Sequence, residues 1–167
     1  MHRKILTTRS KNAITLCGLA ASNPKYPKFP TLPVLECNGF ESIGAWSFGD
    51  TPELADKLGA LVLAGKKTAT SGLKILYEKD QEPIPQPGDL SIILNSRKEQ
   101  ICVIETTEVI ILPFSEIGED IAREEGEGDL SLEYWRRVHK EYFSKYCDFK
   151  DTMEVIAERF RLVEKLA

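Results

Sequence analysis

Two rhythms of hydrophobic and polar positions run along this chain. Leu54, Leu58, Leu61 and Val62 recur at three- and four-residue spacing, which predicts a helix over 52–64. Thr51 and Pro52 ahead of it suit the cap and first turn, and Gly65 behind it is a natural stop. Leu132, Trp135, Val138, His139 and Tyr142 predict a second helix over 131–145, capped by Ser131 or Asp129, with Arg136, Arg137 and Lys140 largely off its apolar stripe. Residues 67–76, 90–95 and 100–112 read as strands. The polar break Ser96-Arg97-Lys98-Glu99 joins the last two as a hairpin, and the second run is long enough to bend or carry a bulge. The segment 78–89 holds Pro83, Pro85 and Pro87 before Gly88-Asp89, and reads as a loop. Residues 114–123 read as a short helix, with Ile117 and Ile121 four apart.

Two segments stay open on periodicity. Over 153–163, the residues Met153, Ile156, Ala157, Phe160 and Val163 fit a helix, while Val155-Ile156 and Phe160-Arg161-Leu162-Val163 suit a closing strand. A strand would place Arg159 and Arg161 on one face as a small basic ladder. Trp46 and Phe48 alternate, so a strand would put both on one face, either as a core-facing pair or as a base-stacking platform. Residues 1–38 show little rhythm. A basic start and the small-residue run over 13–21 have the outline of a signal peptide, but Arg9 and Lys11 lie close to that run and it is short. A loosely ordered leader or packing arm fits better, and Pro24, Pro27, Pro30 and Pro33 favour extended chain there.

Composition narrows the class. A chain of 167 residues is expected to form one domain with a proper core. Hydrophobic content of 42% and charged content of 29% are ordinary for a globular protein. The formal net charge of -4 argues against binding nucleic acid through overall charge and leaves room for a local basic patch. Cys17, Cys37, Cys102 and Cys147 form no Cys-x-x-Cys pair, and His2 and His139 complete no zinc set, so reduced thiols and a cytoplasmic location are expected. No apolar run approaches the roughly 18 residues of a membrane-spanning helix.

The densest candidate chemistry is Gly65-Lys66-Lys67-Thr68-Ala69-Thr70-Ser71, between the first helix and the next strand. Lysines at a helix C-terminus are also favoured by the macrodipole alone. The acidic, glycine-punctuated run Glu124-Glu125-Gly126-Glu127-Gly128-Asp129 is either a solvated turn or a loop that presents an acid to a pocket. A lysine beside a second ammonium, or partly desolvated, loses proton affinity and can take a proton from a hydroxyl, with a carboxylate orienting the pair. The same lysines can instead hold a phosphate as fixed charges. Strand parity puts Lys67 with Ala69 and Ser71 rather than with Thr70, so Lys67 and Thr70 converge only where the chain turns or bulges. No nucleophile elbow, phosphate loop or metal motif is present.

Five stretches in order carry a resemblance: Trp46-Ser-Phe-Gly-Asp, Gly65-Lys-Lys-Thr-Ala-Thr-Ser, Pro87-Gly-Asp-Leu, Ala122-Arg-Glu-Glu-Gly-Glu-Gly-Asp and Ser131-Leu-Glu-Tyr-Trp-Arg. Over roughly 44–164 the chain resembles the ASCH (activating signal cointegrator homology) domain family. The resemblance implies an α+β fold: a small, mostly antiparallel PUA-like β-barrel with flanking helices over 44–167, residues 1–43 as an N-terminal extension, and a strand at 153–163. It also implies a basic cleft around the Gly-x-Lys-x-x-Thr motif, suited to single-stranded RNA or a modified nucleoside or nucleotide. Small bacterial relatives of this kind include amidohydrolases acting on N4-acetylcytidine and metal-assisted ribonucleases of single-stranded RNA. On that pattern Lys67, Thr70 and Glu125 would be catalytic, with Glu127 as the alternative acid. Gly65, Lys66, Ser71, Glu127 and Arg136 would line or charge the cleft, and Trp46, Phe48, Tyr134 or Trp135 would stack on a base. No cofactor is implied, except a divalent metal for a ribonuclease. The chain departs from the pattern at Gly72, where the full motif carries an arginine. Lys74, or an arginine of the 136–137 or 159–161 pairs, would have to substitute.

Overall fold

A computed structural model describes residues 13–17 and 40–166. Strands β1 (Ala13–Cys17), β2 (Phe40–Trp46), β3 (Ala69–Leu73), β4 (Leu90–Leu94), β5 (Gln100–Pro113) and β6 (Glu154–Lys165) form one sheet in the order β1-β2-β4-β5-β6-β3. Helices α1 (Pro52–Leu63), α2 (Lys74–Asp80), α3 (Glu119–Glu124) and α4 (Leu132–Phe143) pack around it. The fold is α+β, as the resemblance implies. The β2–β4 pairing is parallel and the others are antiparallel, so the sheet is mixed. Register shifts at Ile93/Leu94, Val103/Ile104 and Thr106/Glu108 mark bulges, which bend a strand and raise its twist. They curl the long β5, which leaves β4 after Glu105 and follows β6 as far as Pro113. Among the described residues no pairing returns from β3 to β1, so the expected barrel is a curled half-barrel.

Several predicted elements change. The strand expected over 67–76 is Ala69–Leu73, and Lys74 opens α2 instead, because Leu73, Leu76 and Tyr77 share one apolar helical face. The helix expected over 114–123 is broken at Ile117 and Gly118, which are extended, into the 3-10 turn Phe114–Glu116 and α3. The ambiguous closing segment is β6. The basic ladder does not form: Arg159 is bonded to Glu108, Asp120 and Glu124, and Arg161 to Glu105. Residues 13–17 pair antiparallel with β2, which agrees with a packing arm and not with a loosely ordered leader, while the proline-rich segment and the rest of 1–39 lie outside the described residues. Cys102 and Cys147 are free thiols, and burial pushes Cys102 up to about 11. No helix among the described residues is long and apolar enough to cross a membrane.

Three hydrophobic clusters pack on the sheet; the smallest is Ala45, Ile92, Leu94 and Val103, and the other two lie beside the site. Leu58 and Val62 of α1 pack with Phe48, Ile93, Ile104 and Phe160. Phe114, Trp135 and Phe143, from the 3-10 turn and α4, pack with Leu73, Val155 and Ala157. The chain that leaves α1 for β3, residues 64–68, is joined to the acidic loop after α3 by the Thr68 amide, which donates to Glu124 O, and by the close approach of Gly126 to Lys66.

Candidate functional site

Local rules deliver Lys67 to its place. Thr51 caps α1 by accepting from the Leu54 amide at 3.2 Å, and Gly65 ends the helix in the left-handed region at φ 69°. The amides of Lys66 and Lys67 then both bond the Leu61 carbonyl, and the Thr68 amide reaches Glu124 O at 2.7 Å. This stitches the turn to the acidic loop. Gly126, at φ 72°, lies so close that a Cβ there would fall 2.4 Å from Lys66 O. Arg159 Nε donates to the Glu124 carboxylate at 2.6 Å and fixes the loop from the β6 side.

Lys67 and Glu125 are each 2% exposed, and both line one cleft of about 550 Å³. Lys67 Nζ donates to Glu125 Oε2 at 2.9 Å and to Glu127 Oε1 at 2.8 Å, and it stands 5.4 Å from the Phe48 ring centre. Glu125 Oε1 accepts from the Ser71 hydroxyl at 2.6 Å and from the Trp135 indole at 2.8 Å. His139 faces the same oxygen through Nε2 at 3.4 Å. Its Nδ1 lies 2.9 Å from Trp135 O and donates, because a carbonyl can only accept.

The electrostatics follow from this packing. Burial works against charge on both partners, and in both the partner charge wins. Glu125 is held well below the usual carboxylate range by Lys67, then His139, with the Ser71 hydrogen bond adding to them. Lys67 is desolvated, yet Glu125 and Glu127 hold it above 10.5. Lys67 is therefore a protonated lysine at neutral pH, and the expected lowered lysine that removes a hydroxyl proton is corrected on this point. Each depressed or raised value is also a stability term. Glu125 stabilises the fold fully above its unfolded value of 4.5, and that contribution is lost as pH falls. Lys67 stabilises it fully below 10.5, and that is lost as pH rises through its higher folded value. Urea midpoints should therefore be flat from about pH 5 to 10 and fall below that window. The gap between wild type and Glu125→Gln should close as the medium is acidified.

Ser71, not Thr70, bonds the Lys67–Glu125 pair, through Glu125 Oε1. Thr70 is half-buried and lines the cleft. Trp46, Phe48, Tyr134 and Glu127 line it as well. Trp46 and Phe48 meet edge-on, with ring centres 4.6 Å apart, just where β2 ends. Trp135 does not reach the cleft. It is 2% exposed, stacked between Phe114 and His139, with its indole committed to Glu125. Arg136 also points elsewhere, donating to the Ser115 and Ile117 carbonyls. Gly65 and Lys66 are exposed, and they act through the backbone turn rather than as cleft lining. The expected basic cleft is corrected at its floor, where one ammonium sits between two carboxylates.

The residue that sequence reasoning assigned to the core stripe and that the structure brings to the site is His139, one helical turn after Trp135. An ionisable ring within an apolar stripe was the available signal. Among the described residues no group of three His, Cys, Asp or Glu is placed to hold a metal ion. Glu125 and Glu127 converge on an ammonium instead, so the site does not fit the divalent metal that a ribonuclease relative would imply.

A curled mixed sheet with a half-enclosed cleft beside its first helix defines the class, and the sequence comparison agrees. Residues 44–164 match the family model of the ASCH domain, and the chain belongs to that family. Among solved structures, the ASCH domain from Lactobacillus crispatus JV V101 is 32% identical with a TM-score of 0.67, covering 71% of this chain and 78% of that one. Protein EF3133 from Enterococcus faecalis V583 is 31% identical with a TM-score of 0.67, covering 72% and 76%. No curated protein matches the chain.

Proposed function

We propose that the cleft binds one nucleobase, carried by single-stranded RNA or by a free, modified nucleoside or nucleotide. The observation that supports this most is the combination of volume and lining. About 550 Å³ is open between Trp46, Tyr134 and Tyr142, above a floor whose polar groups are already ordered by one another. Small-ligand sites span about 300–1,000 Å³, which suits one nucleotide rather than a tract of chain. Aromatic walls offer π-faces to a base, and stacking of this kind is worth about 1–3 kcal/mol. Membership of the ASCH family supports an RNA-directed role.

Hydrolysis in the same cleft is the second reading, favoured by one feature, the half-buried Thr70 among the lining residues. Lys67 would then serve as a fixed cation toward developing negative charge, and Glu127, the less buried carboxylate at 17% side-chain exposure, would take the hydroxyl proton.

Labelled single-stranded RNA should be titrated by anisotropy, with free nucleosides as competitors, then run on a denaturing gel with and without divalent metal. Saturable binding weakened about tenfold or more by Trp46→Ala is the expected result. No binding of RNA or nucleosides overturns the reading. Turnover kept by Thr70→Ser and lost by Thr70→Ala would make the protein a hydrolase with a hydroxyl nucleophile.

A further inference from the structure

The charges of the cleft are sorted by depth. At the floor, the buried Lys67 ammonium lies between the Glu125 and Glu127 carboxylates and so offers an anion no unshared cation. At the mouth, three exposed lysines line the same cleft from three separate elements: Lys57 on α1, Lys98 in the β4–β5 turn and Lys145 just past α4. Two of them converge on one short loop. Lys98 Nζ lies 3.4 Å from the Ser47 hydroxyl, and Lys145 Nζ lies 2.8 Å from the Asp50 carboxylate. Lys57 joins them from the α1 face that also brings Leu54 and Leu58 to the cleft. The acidic groups at this level are Asp50, taken by Lys145, and Glu141, whose carboxylate stands 3.7 Å from Arg137 and whose charge also acts on Lys145. Asp50 thus holds an oxyanion against Lys145 at the cleft wall, between the β2–α1 loop and the end of α4.

We propose that Lys57, Lys98 and Lys145 form a phosphate subsite at the mouth, so that the ligand is a phosphorylated nucleoside with its base inward and its phosphate outward. The Asp50 carboxylate stands where a phosphate oxygen would bond Lys145, and it gives way when the ligand arrives. The opposite orientation is disfavoured at the floor, where the Lys67 ammonium is already shared by two carboxylates. This rests on the nucleobase reading above. The phosphate comes either from a nucleoside monophosphate or from the backbone of an RNA chain.

The test is calorimetry on the full chain at low salt with the four common nucleosides, their 5′-monophosphates, short single-stranded oligoribonucleotides and inorganic phosphate. For the base that binds best, the phosphorylated form should bind about tenfold tighter than the nucleoside. That advantage should shrink as salt is raised. It should be lost in Lys98→Ala/Lys145→Ala, with nucleoside affinity unchanged, and enlarged in Asp50→Asn. An advantage confined to oligonucleotides assigns the phosphate to an RNA chain, and one present in the monophosphates assigns it to a free nucleotide. Equal binding of nucleoside and nucleotide, or an advantage that survives the double lysine variant, overturns the subsite and leaves the nucleobase reading standing. Failure of every nucleoside, nucleotide and oligonucleotide to bind overturns both.

Discussion

Lys67→Met is expected to destabilise the fold by about 3–5 kcal/mol, the usual consequence of removing one partner of a buried ion pair. Glu125 would keep its place in a site that is 2% exposed, with its principal counter-charge gone. Its remaining partners, Ser71, Trp135 and His139, all approach the other oxygen. For a domain of this size, the loss corresponds to a fall in Tm of about 6–20 °C. Two controls separate this cause from lost packing. The deficit should shrink at acid pH, because protonating Glu125 removes the buried charge that Lys67 no longer balances. Lys67→Met/Glu125→Gln should recover much of the loss, because replacing both partners of a buried pair costs far less than breaking it. A deficit that is constant across pH and unrelieved in the double variant would show that the lysine stem, not its charge, matters.

How far this site was legible in the sequence depends on which residues are considered. Local rules reached α1 and α4, whose caps and stripes are self-contained: Thr51 and Gly65 bracket one, and Ser131 opens the other. Parity between positions 67 and 71 correctly set Lys67 and Ser71 apart from Thr70. The run from Thr68 to Ile75 hid the start of α2, since its β-branched residues mask the helical spacing of Leu73, Leu76 and Tyr77. The acids of the 124–127 loop could be named but not ranked, because a loop has no period. Only packing shows that Glu125 turns inward to Ser71 and Trp135 while Glu127 stays nearer the surface. Trp135 sat on a core stripe by spacing and on a stacking surface by resemblance, and its burial favours the spacing. Lys57, Lys98 and Lys145 carried no signal at all, because they belong to different elements and share only the lining of one cleft. The parallel β2–β4 pairing is non-local in the same way.

Gly126→Ala is expected to dismantle the site more thoroughly than removal of any single contact within it. The position combines φ 72° with a Cβ that would lie 2.4 Å from Lys66 O and 2.7 Å from Lys66 C. The left-handed conformation alone costs a residue with a Cβ about 1–2 kcal/mol. The collision is with backbone, so no rotamer change relieves it. Either the acidic loop or the Lys66–Lys67 turn has to move. Glu125 and Glu127 flank the substituted residue and both bond Lys67, so a displacement of either segment breaks two ion pairs at once. Gly65→Ala is the matched control: its φ is 69°, and nothing lies within 4 Å of the added Cβ. It should lose about 1–2 kcal/mol and keep its ligand affinity. Gly126→Ala should lose about 3 kcal/mol or more in urea denaturation and show no measurable binding in the RNA titration, with the far-ultraviolet circular dichroism spectrum retained. Equal losses in the two variants would mean that the loop yields freely, and that the close approach of Gly126 to Lys66 is not what holds the two carboxylates on Lys67.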